Sequence, residues 1–202
     1  HLRDEMLDYA EFLGYEGFIR SAGDINTLKK FVAAGFPILI ERGVFFHDLT
    51  GLTSWMGHYG VVTGYDDDTR LFTIQDSYIE TGPNNNGANY QMPYDTLVDE
   101  WQSFNYIYLV IFTSDQRQQA YDLLAVNADE TANFQNAWIL ASNETTAFTD
   151  RKQFFAWYNV GTSLVGLQDY SSAAAAYDTA FYLYNLLPED LSYRPFRILW
   201  YE

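Results

Sequence analysis

No cysteine occurs anywhere in the 202 residues. That excludes disulfides, thiolate metal sites and redox motifs, and it leaves this stretch without a thiol nucleophile. Lysine is nearly as scarce, with only Lys29, Lys30 and Lys152. Against 11 Lys and Arg stand 27 Asp and Glu, for a formal net charge of −16 and a pI of about 4.3. A surface of that sign repels polyanions, so nucleic acid is excluded as a natural partner and anionic membrane surfaces are disfavoured. Long apolar runs are missing too, and no segment reaches the roughly 18 residues that a membrane-spanning helix needs. The chain opens at His1 without a methionine or a leader-like stretch, and it ends at Glu202 inside an apolar helical pattern. Both ends read as cuts in a longer protein.

What is present favours a packed protein. Hydrophobic residues make up 48% and charged residues 19%, which suits a sizeable core rather than disorder. Met6, Leu7, Tyr9, Ala10, Phe12 and Leu13 at helical spacing predict a helix over 1–14. Asp24 reads as the N-cap of a second helix carrying Leu28, Phe31 and Val32 on one face. Gly35 stops that helix, and a buried strand over 37–41 follows Pro37. Residues 58–65 and 71–76 read as a hairpin joined by the turn Asp66-Asp67-Asp68-Thr69-Arg70. A polar loop over 82–89, a helix over 94–101 and an apolar strand over 104–112 complete the first part. After Thr113 the pattern turns helical throughout, with two helices before Thr149 and a break near 127–130.

The hairpin carries the candidate chemistry. With the turn centred on Asp67, residues whose numbers sum to 134 oppose one another, and His58 faces Asp76. Directly opposed residues share a face, with Cβ atoms ~4.5–5.5 Å apart. A carboxylate there fixes the imidazole tautomer and stabilises the imidazolium, the orienter–base pair that a thiol nucleophile requires. The same spacing also describes a surface ion pair worth less than ~1 kcal/mol. The three consecutive aspartates read as a solvated turn, since they lack the glycine and distal glutamate of an EF-hand. His1 and His47 have no partner spacing that suggests zinc. No metal and no cofactor is expected.

Trp55-Met56-Gly57-His58-Tyr59, Val62-Thr63-Gly64-Tyr65-Asp66-Asp67 and Gln75-Asp76-Ser77-Tyr78 together resemble the C39-like peptidase family. The stretch 28–41 resembles that family's helix and strand before its histidine. The resemblance spans roughly 1–113 and implies an α+β, papain-like fold with an antiparallel sheet. It implies that His58 is the catalytic base and Asp76 its orienter. Family members carry a glutamine and the nucleophilic cysteine on a helix well upstream of the histidine, and nothing in residues 1–57 matches that motif. The nucleophile segment is therefore expected either upstream of His1 or lost altogether, and the chain as written is expected to be inactive.

Trp157, Val160, Gly161, Leu164, Tyr170, Ala173, Tyr177 and Ala180 resemble one tetratricopeptide repeat. Four residues separate Trp157 from Gly161, twelve separate Gly161 from Ala173, and seven separate Ala173 from Ala180. Small residues belong where two helices cross closely. Residues 194–201 look like the first half of another repeat.

The expected organisation is a peptidase-like domain over 1–114 with its N-terminal part missing, then all-α tetratricopeptide-like repeats over 115–202, incomplete at the C-terminus. The expected function is cysteine-peptidase hydrolysis of a peptide or protein substrate, with a protein partner in the repeat groove. A catalytically inactive, peptidase-derived scaffold for protein contacts is the alternative. Relatives with such architecture imply a bacterial extracellular or cell-envelope location, with the cytoplasm as the alternative.

Overall fold

The computed structural model describes residues 2–47, 53–78 and 81–188. Helix α1 (Leu2–Phe12), strand β1 (Glu16–Arg20), helix α2 (Ile25–Ala33) and strands β2 (Ile38–His47), β3 (Thr53–Asp66) and β4 (Leu71–Asp76) come first. Strand β5 (Tyr90–Pro93), helix α3 (Tyr94–Trp101) and strand β6 (Tyr108–Phe112) follow. The rest is helical: α4 (Arg117–Leu124), α5 (Glu130–Ala147), α6 (Asp150–Gly166) and α7 (Tyr170–Leu186). The six strands form one sheet in the order β1-β6-β2-β3-β4-β5. This is an α+β fold with an antiparallel sheet followed by an all-helical region. Two elements, β1 and β5, lie where no strand was expected. Residues 194–201, the half-repeat of the sequence, fall outside the described residues.

The chain forms two compact units, each assembled from non-consecutive stretches. The first comprises His1–Glu41, Tyr59–Asp99 and Tyr106–Asn133. Asp24 Oδ1 accepts the Thr27 backbone N–H at 2.6 Å and so caps α2, as its position predicts. The helix then buries Leu28 and Phe31 completely. Gly35, with φ of +89°, ends it in the left-handed conformation that glycine adopts without strain. Strand alternation supplies the rest of the core. Phe18 pairs with Val110, Ile38 with Val110, and Phe72 with Met92. Each of these side chains is at most 3% exposed. Phe18 lies 5.9 Å from Phe31 and 5.6 Å from Phe112 between ring centroids, in the edge-on and tilted geometries that aromatic quadrupoles favour. Ser21 and Asn133 exchange two buried hydrogen bonds, Ser21 N–H to Asn133 Oδ1 at 3.0 Å and Asn133 Nδ2 to Ser21 O at 2.8 Å. The side-chain amide thus stands in for a strand neighbour at the end of β1.

The second unit comprises Arg42–His58, Glu100–Asn105 and Phe134–Glu202. Trp55, 2% exposed, stacks on Phe104 with centroids 5.8 Å apart and meets Phe155 at 5.1 Å. Phe154, Ala180, Tyr184 and Leu187 complete that cluster. Ala141, Val160, Leu164, Ala173 and Ala176 form a second one. Early α6 meets late α7 and late α6 meets early α7, so the two helices run antiparallel. Asp169 caps α7 by accepting the Ser172 N–H at 3.1 Å. Gly161 sits where a Cβ would lie 2.6–2.9 Å from the Tyr177 ring, so only glycine allows this approach.

The strand expected over 104–112 begins only at Tyr108. Gln102–Phe104 instead form a 3₁₀ turn, and Asn105 and Tyr106 both take left-handed backbone, with φ of 55° and 52°. Asparagine tolerates that region better than most residues. Side chains from α6 fix the turn: Asn159 Nδ2 donates to Gln102 O at 2.7 Å, and Asn105 Nδ2 donates to Ser163 Oγ at 2.9 Å. Gln102 Nε2 reaches Glu144 Oε2 of α5 at 3.1 Å. Apolar residues over 106–112 favoured a longer strand, and buried polar pairing overrode them.

Candidate active site

The two residues singled out by chemistry lie on neighbouring strands, His58 on β3 and Asp76 as the last residue of β4. The expected direct opposition does not occur. Asp76 pairs with Gly60, and the described ladder runs Val61↔Gln75, Val62↔Ile74, Gly64↔Thr73, Tyr65↔Phe72 and Asp66↔Leu71. His58 stands two residues before the first of these pairs. Two local features account for the shift. The turn spans four residues between Asp66 and Leu71, with Arg70 at a φ of +55°. Thr63 is then an extra residue between two regular stretches of the ladder, a β-bulge. The turn therefore centres beyond Asp67, and the bulge returns one residue of that displacement.

The aspartate-rich turn is a braced structure. Asp66 Oδ1 accepts the backbone N–H groups of Asp68 at 2.9 Å and Thr69 at 3.2 Å, an Asx-type turn. Hydrogen bonds from the Thr69 backbone and then its hydroxyl hold the Asp66 carboxyl below the usual carboxylate range. Asp67 is held low chiefly by Lys29, whose Nζ lies 2.7 Å from Asp67 Oδ1. Tyr94 OH donates to that same oxygen at 3.1 Å. Burial and then this hydrogen bond push the Tyr94 phenol up to about 12. Lys29 of α2 and Tyr94 thus meet on one oxygen at the tip of the hairpin.

Asp76 is buried. Its Oδ1 accepts the Tyr78 backbone N–H at 2.8 Å, and its own N–H donates to Gly87 O at 2.7 Å. His58 meets the Phe46 ring edge-on, with centroids 5.1 Å apart and planes at 71°. An aromatic edge against an imidazole limits the rotation of that ring and keeps water from one side of it. Neither the Phe46 contact nor the Gly87 bond is signalled by sequence spacing. Phe46 lies outside the 37–41 strand that the sequence predicted, and Gly87 lies in a loop of asparagines.

A second ionisable cluster also escaped the sequence. Glu41, on β2, accepts from Arg3 Nη1 at 3.0 Å and is hydrogen-bonded by Tyr59. Burial raises its carboxyl above the usual range, against the pull of the Arg3 charge and the Tyr59 hydrogen bond. Among the described residues no group of three or more His, Cys, Asp and Glu side chains is placed to hold a metal ion. No helix among them is long and apolar enough to cross a membrane.

What the strands can do chemically is bounded by these residues. An imidazole can take a proton and a carboxylate can accept a hydrogen bond from it, and the 202 residues contain no thiol for such a pair to activate. One similar solved structure is that of a Bacillus anthracis protein named as a C39-like peptidase. It is 16% identical, with a TM-score of 0.39, over 55% of this chain and 58% of that one. No curated protein matches the sequence. Residues 5–109 match the family model described as the Peptidase_C39 like family. That match takes in α1 through the start of β6, and with it His58 and Asp76. The chain belongs to the C39-like peptidase family.

Proposed function

We propose that this chain supplies the base and its orienter to a cysteine peptidase of the C39-like type, with His58 as the base and Asp76 as the orienter. The observation that carries the reading is the family match over 5–109, with these two residues on adjacent strands of the matched sheet. By strand alternation His58 shares a face with Gly60, the direct partner of Asp76. The nucleophile is a thiol that these 202 residues do not supply.

Given that thiol, the steps follow from acid–base chemistry. His58 takes the thiol proton, and the Asp76 carboxylate stabilises the imidazolium that results. The thiolate attacks the peptide carbonyl, and the imidazolium protonates the departing amine. A water then hydrolyses the thioester, with His58 again accepting the proton.

We assign residues 1–114 to the peptidase-derived part and 115–202 to a tetratricopeptide-like part that binds a peptide or protein partner. The support is the change at Thr113 from strand to helix and the Gly161–Tyr177 approach at repeat-like spacing. The lack of cysteine favours one further reading, a catalytically inactive scaffold that keeps the family sheet for protein contacts.

The test uses the complete natural gene product and a fluorogenic peptide. His58→Ala should lower kcat/KM by about 10²-fold or more, and Asp76→Asn should also lower it. An active enzyme indifferent to His58→Ala overturns the assignment. A gene product without an alkylatable thiol overturns the peptidase reading in favour of the scaffold.

A further inference from the structure

The loop over 82–89 reads in the sequence as a polar connector, yet it and the adjoining Thr81 are tied to the chain on both sides of Asp76. On one side, Asn89 N–H donates to Gln75 Oε1 at 3.1 Å, and Gln75 Nε2 donates to Asn89 Oδ1 at 3.1 Å. On the other, Thr81 donates through both its backbone N–H and its hydroxyl to Tyr78 O, at 3.1 and 2.7 Å. Gly87 N–H closes the loop on Thr81 O at 2.8 Å. At the centre, Asp76 N–H donates to Gly87 O at 2.7 Å. Gly87 is buried, has a φ of +75°, and presses against Asp76 so closely that a Cβ would collide with the Asp76 carbonyl oxygen. Any L side chain there meets both backbone strain and a steric clash.

β5 begins at Tyr90, so β4 at Asp76 has no partner strand on that side; the described pairs stop at Ile74↔Tyr90. The loop takes over where the ladder ends. We infer that Gly87, through this loop, is a positioning residue for Asp76, holding the backbone that carries its carboxylate. The inference rests on the reading of Asp76 as orienter of His58. The loop is therefore a rigid clasp for the site rather than a flexible arm.

The experiment uses the 202-residue chain labelled with ¹⁵N and ¹³C. In the unaltered protein, a through-hydrogen-bond scalar coupling between Asp76 ¹⁵N and Gly87 ¹³C′ is expected, and its absence overturns the clasp. Asp76→Asn should displace the His58 imidazole ¹⁵N resonances, which report the tautomer. Gly87→Ala should displace them in the same direction. Gly35→Ala is the control for strain, since Gly35 is also left-handed but has open space around a notional Cβ. It should lower Tm without moving the imidazole signals. An Asp76→Asn effect without a Gly87→Ala effect overturns the positioning role alone. So does a Gly35→Ala displacement as large as that of Gly87→Ala. Imidazole signals indifferent to Asp76→Asn overturn the orienter reading itself.

Discussion

Asn159 donates its side-chain amide to the backbone carbonyl of Gln102 at 2.7 Å, and both residues are buried. The contact joins two positions 57 residues apart in sequence. It binds a turn inside the family-matched region to a helix beyond it, and both belong to the same compact unit.

Truncating that donor strands a buried carbonyl. Asn159→Ala should cost about 1–3 kcal/mol, because the unpaired acceptor loses its hydrogen bond without regaining water. Asn143→Ala, at an exposed position of α5, should stay within ~0.5 kcal/mol of wild type. Urea midpoints of the two variants measure the difference. Equal midpoints would show that the bond contributes nothing.

A chain ending at Ser114 should not fold like the whole. Arg42–His58 and Glu100–Asn105 belong to the unit that also holds Phe134–Glu202. Without Phe155, the Trp55 ring loses an aromatic neighbour 5.1 Å away. The shortened chain should bind a hydrophobic dye and show red-shifted tryptophan emission. A cooperative thermal transition with buried tryptophan would contradict this.

Gly161→Ala pits two effects against each other. Helix propensity favours alanine by about 1 kcal/mol. The added methyl would sit 2.6–2.9 Å from the Tyr177 ring, and overpacking costs about 1–3 kcal/mol. Steric cost should win, so Tm should fall. In a Tyr177→Leu background the same change should become neutral or stabilising. A Tm that rises in the wild-type background would mean that the ring moves aside freely.

Glu41 sets a pH dependence with a definite sign. Burial raises its carboxyl in the folded protein above the value it has in the unfolded chain. The folded state therefore holds that proton more tightly. Its contribution favours folding at low pH and declines as pH rises from the ordinary glutamate range through the raised value. Glu41→Gln should flatten this part of the curve of urea midpoint against pH. The aspartates of the turn act oppositely: Asp66 and Asp67 are held low, so their contribution is present at neutral pH and is lost on acidification. A Glu41→Gln curve parallel to wild type would remove Glu41 from the account.

Much of the fold was legible because its signals are local. Asp24, Leu28, Phe31 and Gly35 declare α2 within a dozen residues. The hairpin strands and their turn were visible as well. Its register was not, because Arg70 in a left-handed conformation and the bulge at Thr63 leave no unambiguous trace in residue type. Strand β1 was missed since five residues with a glycine in second place look like a loop until Val110 and Leu109 pair with them. Long-range polar pairing explains the remainder. Nothing near Gln102 or Asn105 in the chain reveals that α6 supplies Asn159 and Ser163. The candidate residues His58 and Asp76 were singled out by spacing and resemblance, and the direct opposition that the spacing implied does not occur. The supports around them, Phe46 and Gly87, come from elements whose extent only the folded chain defines.

The Trp55–Phe155 contact has a consequence for biosynthesis. The two rings lie 5.1 Å apart in space, yet Phe155 is made about a hundred residues after Trp55. At bacterial-to-eukaryotic elongation rates of about 5–20 residues per second, the indole waits roughly 5–20 s for its partner to emerge from the ribosome. During that interval a large aromatic surface stays wet on a nascent chain already long enough to aggregate. Chaperone engagement should therefore peak between the synthesis of β3 and that of α6.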